Sequence, residues 1–332
     1  MVKKLKQKNK ILFTIICFLF VSCSYKNCED KNKIKHKISL TFNHVEDSIY
    51  NFEDFEDFDS FTKNNPNISE YFFEINNSVN KKEELFNLIN NVYFDSLYYE
   101  VKNTFQSFDL KKKEFENSFA RLKTHLPQVS IPQITTIVSG FYNDVVLSDN
   151  NIIIGLDYFL NEQSKLKPQD IPGFILKRYN PDNLVPITMS VYCSQFNKIN
   201  PLDNTMISEM LNFGKLYYLL QAVMPCEEPH KLIGYSLEEW DIVNQNEETI
   251  YGVFVDRKLF FETNHLTKNK YLSERPKTFE ISPNCPGRIG AWLGWRIVES
   301  YMQNNPNVSI KELLDNTNNK DIFFQSLYKP GR

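Results

Sequence analysis

The chain has 332 residues, with 38 Lys and Arg against 41 Asp and Glu, 14% aromatic residues and only ten glycines. It is long enough for one large core or two small ones. Its slightly acidic balance, with no clustered basic surface, excludes a nucleic-acid partner.

The chain begins with five lysines in MVKKLKQKNK, followed by the apolar run ILFTIICFLFV. Such a basic start, short apolar run and small residue describe an export leader. The run is shorter than the roughly 20 residues that a spanning helix needs. Cys23 follows Ser22, and FVSC resembles the lipobox of bacterial lipoproteins, with Phe20 where leucine is usual. On this reading residues 1–22 are a lipoprotein signal peptide and Cys23 carries the lipid. Residues 23–40 are then a polar, lysine-rich tether, and residues 41–332 a single domain. Without the lysines of the leader, 33 basic residues face 41 acidic ones. No later apolar run is long enough to span a membrane.

All ten glycines lie from Gly140 onward, so the first half reads as helical. Phe52, Phe55, Phe58 and Phe61 form an apolar stripe among acids, and residues 81–105 and 111–126 carry helical spacing of Leu, Phe and Tyr. Pro127 ends the second stretch. Residues 134–157 are rich in Ile and Val, with a turn at Asp149–Asn150, and predict a small hairpin or sheet. From about residue 181 the helical period returns. Ser236 with Glu239 and Ser309 with Glu312 form capping boxes. The fold class is α+β, predominantly helical.

Residue chemistry assembles no catalytic or metal site. No two of His36, His44, His125, His230 and His265 have metal-binding spacing, and neither HExxH nor GxSxG occurs. The pairs Glu227–Glu228, Glu238–Glu239 and Glu247–Glu248 read as solvated faces, and CEEPH (226–230) as a loop. Cys28, Cys193, Cys226 and Cys285 permit three full pairings among which the sequence does not choose. Asp157 follows the apolar run IIIGL and must find hydrogen bonds or shift its pKa.

The helix in CPGRIGAWLGWRIVESYM (285–302) accepts Gly290 and Gly294 at a cost of roughly 1 kcal/mol each. Lying four apart, they share a face and admit the backbone of another helix. Pro286 suits the first turn, and Trp292 and Trp295 are placed to wedge against the strands. Arg288, near a helix start, opposes the macrodipole and calls for an acidic partner.

Together with IIIGLDYFLN, MLNFGKLYYLLQAVMP, IGYSLEEWDIVNQNEETIY and SLYKPGR, that stretch resembles the GldB family of gliding-motility lipoproteins across residues 40–332. The family positions are Gly155, Asp157, Glu209, Gly214, Lys215, Trp240, Pro286, Gly287, Arg288, Gly290, Trp292, Gly294 and Trp295. The resemblance implies an outer-membrane lipoprotein facing the periplasm, held by the lipid on Cys23. It also implies protein partners in the gliding and secretion machinery, and no cofactor. The family is itself distantly similar to zinc peptidases of the zincin type. In that frame residues 184–196 would be the HExxH helix, which has no histidine here, and Phe213 stands where a glutamate is expected. The implied product is a peptidase-like scaffold without peptidase chemistry. Two alternatives remain. One is a cryptic hydrolase gathering His125, His230, His265 and Glu209, and the other is a peptide- or glycan-binding module using a vestigial cleft.

Overall fold

The computed structural model describes residue 34 and residues 37–75 and 79–331. The expectations for the leader, for Cys23 and for most of the tether lie outside the described residues.

The chain enters the core at Leu40 and forms β1 (Phe42–His44) and α1 (Glu46–Tyr50). α2 (Phe55–Asn64) begins where the Asp54 carboxylate accepts from the backbone N–H groups of Glu56 and Asp57, at 2.9 and 3.1 Å. Phe58 is fully buried, with Phe52, Phe55 and Phe61 packed against the core, so the expected stripe holds. Phe52 stands ahead of the helix and not on it.

The helical stretch 81–105 is divided into α3 (Val79–Ile89) and α4 (Val92–Thr104). Asn91 makes the break, its side chain accepting from Tyr93 N–H at 3.0 Å and starting a new helix. Asparagine competes with the backbone for hydrogen bonds, which stops one helix and caps the next. α5 (Asp109–His125) then runs to Leu126 and Pro127.

Four strands form one sheet in the order β1-β2-β4-β3: β2 (Gln133–Ile137), β3 (Val145–Ser148) and β4 (Asn151–Gly155) join β1. The hairpin turns where expected, with Ser148 opposite Asn151 and Val145 opposite Ile154. β2 is parallel to both β1 and β4, and β1 lies outside the segment expected to hold the sheet. Every residue of β4 is buried, as expected of a central strand covered on both faces.

Short helices follow: α6 (Gly173–Leu176), α7 (Leu184–Ser194), the long α8 (Met206–Val223), α9 (Pro229–Ile233), α10 (Leu237–Gln245), α11 (Glu247–Asp256) and α12 (His265–Leu272). α13 (Ile289–Asn304), α14 (Ile310–Asp315) and α15 (Asn319–Gln325) complete the chain. Both expected capping boxes form, at the starts of α10 and α14.

The core centres on α8 against α13. A Cβ on Gly294 would lie 1.9 Å from the Met210 carbonyl oxygen, and one on Gly214 would lie 2.3 Å from the Gly294 oxygen. The two backbones touch, as the glycines of α13 led us to expect. Gly290 makes way for α12 instead, its missing Cβ falling 2.7 Å from Leu272 Cδ2.

Two expectations for this helix are corrected. Pro286 is not in the first turn: α13 starts at Ile289, preceded by Arg288 in the left-handed region at φ 55°. Residues 285–288 form an irregular lead-in, tied by Thr278 Oγ1 to the Pro286 carbonyl and by Tyr235 OH to the Gly287 carbonyl, both at 2.7 Å. Trp295 does not wedge against the strands. It sits between Tyr217 and Trp240, with ring centroids at 5.4 and 5.7 Å.

Gly294→Ala should lower the unfolding midpoint sharply, costing several times the ~1 kcal/mol that alanine gains in helix propensity. Gly252→Ala in α11, where nothing lies within 4 Å of the added methyl, should raise it by up to about 1 kcal/mol. Thermal unfolding of both variants checks the contrast.

Candidate functional site

A cleft of 730 Å³ opens between the segment around α6, the start of α7, and the α9–α10 connection. It adjoins an inner pocket of 340 Å³ that reaches α7, α8 and the start of α13. Arg178, Asn183, Lys231 and Gly234 line both. Asn180 shapes the mouth: its side chain accepts from the N–H groups of Asp182 and Asn183, both at 3.1 Å, and sets the turn leading into α7.

The adjoining pocket is lined by an arginine–glutamate–arginine cluster, of which Arg178 also reaches the cleft. Arg178 Nη1 donates to both oxygens of Glu274 at 2.8 Å, and Arg288 Nε lies 3.1 Å from Glu274 Oε1. Arg288 also donates to Tyr217 OH at 3.2 Å and to the Ile233 carbonyl. Its expected acidic partner is thus Glu274. Sequence reasoning missed Arg178, Glu274 and Lys231; the need for an acid opposite Arg288 was legible, but which acid was not.

Lys177 and Lys231 stand on the wall with Glu162, Asp182 and Glu239. Burial holds the His230 imidazole below its ordinary pKa. Ser236 is spent as a helix cap, accepting from Glu239 N–H at 3.1 Å. The cleft offers fixed charges of both signs, an arrangement suited to holding a polar chain.

The remaining family positions serve the frame around this cleft. Asp157 is fully buried, and desolvation raises its pKa to about 6. Its Oδ2 accepts from Ser139 N–H and Oγ–H, both at 3.2 Å, and from Phe141 N–H at 2.6 Å. It thereby clamps the left-handed pair Gly140 (φ 73°) and Phe141 (φ 65°). Gly155 and Gly287 lie under neighbouring carbonyls, of Asn143 at 2.2 Å and Arg275 at 2.0 Å from where a Cβ would sit. Glu209 pairs with the buried Lys268 on α12. Trp292 is fully buried, and Trp240 half-buried.

Lys215 is fully buried, its ammonium donating to the Asn316 carbonyl at 2.5 Å. Burial pushes its pKa down to about 8. Phe213, the neighbour that replaces the expected glutamate, packs half-buried against the core.

The structure does not gather the hydrolase set. Among the described residues no three His, Cys, Asp or Glu side chains converge to hold a metal ion. His230 lines the cleft, His265 meets Asn269, and Glu209 is committed to Lys268.

A family model described as gliding motility protein GldB matches residues 27–330. The chain belongs to the GldB family. No curated protein and no solved structure matches it. Membership implies involvement in gliding motility. Among the described residues no helix of this GldB-family chain is long and apolar enough to cross a membrane.

The burial of Lys215 predicts a pH dependence. Its folded pKa of about 8 lies below the ordinary 10.5, so between those values the unfolded chain binds more protons. Stability contributed at this site should therefore rise with pH across that window. The difference between wild type and Lys215→Met should climb by on the order of 3 kcal/mol between pH 8 and 10.5. Denaturant unfolding at several pH values checks it, and a flat difference contradicts it.

Proposed function

We propose that this GldB-family protein is a non-catalytic lipoprotein of the cell envelope. Acylated Cys23 anchors it to the outer membrane facing the periplasm. It supports gliding and the associated secretion machinery by holding a polypeptide partner in the cleft between α6 and α10. The observation that carries this reading is the Arg178–Glu274–Arg288 cluster in the pocket that adjoins the cleft. Each charged group there is held by another, which favours a rigid binding surface over proton transfer. The mixed wall charges complement a polar segment of a partner and add specificity.

A zincin-like ancestry accords with the arrangement. α7 packs beside α8, and the pocket adjoining the cleft runs along α7, where such a peptidase would bind substrate. Neither a histidine on α7 nor a glutamate at Phe213 is present to complete that chemistry, and zinc catalysis needs three protein ligands.

A photo-crosslinking residue at exposed Lys177 should capture an envelope protein in living cells, and one at exposed Leu110, outside the cleft lining, should not. Cys23→Ser should move the protein out of the membrane fraction and abolish gliding. One zinc per purified chain, with peptide cleavage that a chelator stops, would establish the hydrolase reading instead.

A further inference from the structure

The pocket beside the cleft offers more hydrogen-bond donors than acceptors. Arg178, Lys231 and Arg288 bring positive charge to its lining, against the single carboxylate of Glu274. That carboxylate is already held: Arg178 Nη1 donates to both of its oxygens, and Arg288 Nε lies 3.1 Å from one of them. Several donors are not held. Among the described residues no acceptor takes a hydrogen bond from Arg178 Nη2. Lys231 Nζ stands 3.9 Å from Glu227, beyond hydrogen-bond reach. The buried Tyr217 hydroxyl accepts from Arg288 Nη1 at 3.2 Å but gives its own proton to no described residue. A buried donor without an acceptor is costly, so this set calls for an anionic acceptor. Beside it, Ile175, Pro186, Ile187, Val191 and Leu232 supply an apolar lining.

We infer that this pocket takes the C-terminal residue of the partner polypeptide. Its carboxylate meets Arg178, Lys231 and Tyr217, and its apolar side chain lies against α7. The inference rests on the reading of the cleft as a polypeptide site.

The combination of charge and apolar surface selects this occupant. A free amino acid would bring an ammonium group into a pocket whose charge is already positive. An internal Asp or Glu carries a carboxylate but no apolar group of its own, and its chain must leave the pocket in two directions. A C-terminal residue joins a carboxylate to a side chain, has an uncharged amide nitrogen, and leaves by one path. That path exists: Arg178, Asn183, Lys231 and Gly234 line both the 340 Å³ pocket and the 730 Å³ cleft. The preceding polar residues then lie along the cleft walls of mixed charge. Capture of a chain end by its carboxylate is a recurring mode of peptide recognition.

The test uses the full-length protein purified in detergent and fluorescein-labelled Gly-Ser peptides ending in leucine or serine, each as free acid and as amide. One further peptide carries an internal glutamate beside leucine and an amidated end. In fluorescence polarisation the leucine acid should bind tighter than its amide by about tenfold or more, the loss expected for a hydrogen bond to a charged group. It should also bind tighter than the serine acid. Arg178→Gln should weaken the leucine acid by about tenfold and leave the amide unchanged. Lys231→Met, at a side chain with no hydrogen bond among the described residues, should do the same. Equal binding of acid and amide, tightest binding of the internal-glutamate peptide, displacement by inorganic phosphate or hexanoate at the peptide's own concentration, or absence of saturable binding overturns the proposal. The crosslink from Lys177 judges the cleft reading separately. An envelope protein captured there while acid and amide bind alike leaves that reading standing and removes only the end-specific pocket.

Discussion

The direct backbone contact of α8 with α13 at Gly214 and Gly294 governs the rest of the structure. At that distance neither position has room for a methyl group. The loss in helix propensity is offset by dispersion contacts along two helices that are buried over most of their length. Neighbouring features follow from this spacing. Tyr217, one turn beyond Gly214, meets both Trp295 and Arg288. Lys215, next to the crossing, has its ammonium drawn to a carbonyl after α14.

The pocket beside the cleft takes its lining from how α13 begins. Arg288 takes a left-handed conformation and the three residues before it are irregular, so its side chain runs out from the helix start towards Glu274 and Ile233. Glu274 remains partly exposed, so the value of the cluster lies in position more than in stability. A second guanidinium from Arg178 leaves the pocket beside the cleft with excess positive charge, while the cleft walls carry both signs.

The family positions divide by what they do in the fold. Most of them, including Gly155, Gly214, Gly294, Trp292 and Asp157, serve packing or hold a strained turn. Arg288 belongs to the pocket beside the cleft, where its acidic partner Glu274 comes from a segment that carries no motif. A motif-dense helix here marks close packing, and the cleft lies beside it.

The sequence by itself determined the features that depend on local chemistry. These include the mostly helical α+β class, the hairpin at Asp149–Asn150, the capping boxes at Ser236 and Ser309, and the phenylalanine stripe. The glycines of α13 also pointed to a close helix neighbour, because contacts with another backbone offset their cost. Asn91 shows the limit of periodicity: apolar spacing continues through it, but its side chain competes with the backbone and divides the helix. Only the tertiary structure decided that α8 is that neighbour, that β1 joins the sheet in parallel, and that Glu274 answers Arg288. Those pairings join residues far apart in the chain, and many acids or helices satisfy the same local requirement. Shape and burial select one of them, and both arise only when the whole core has formed.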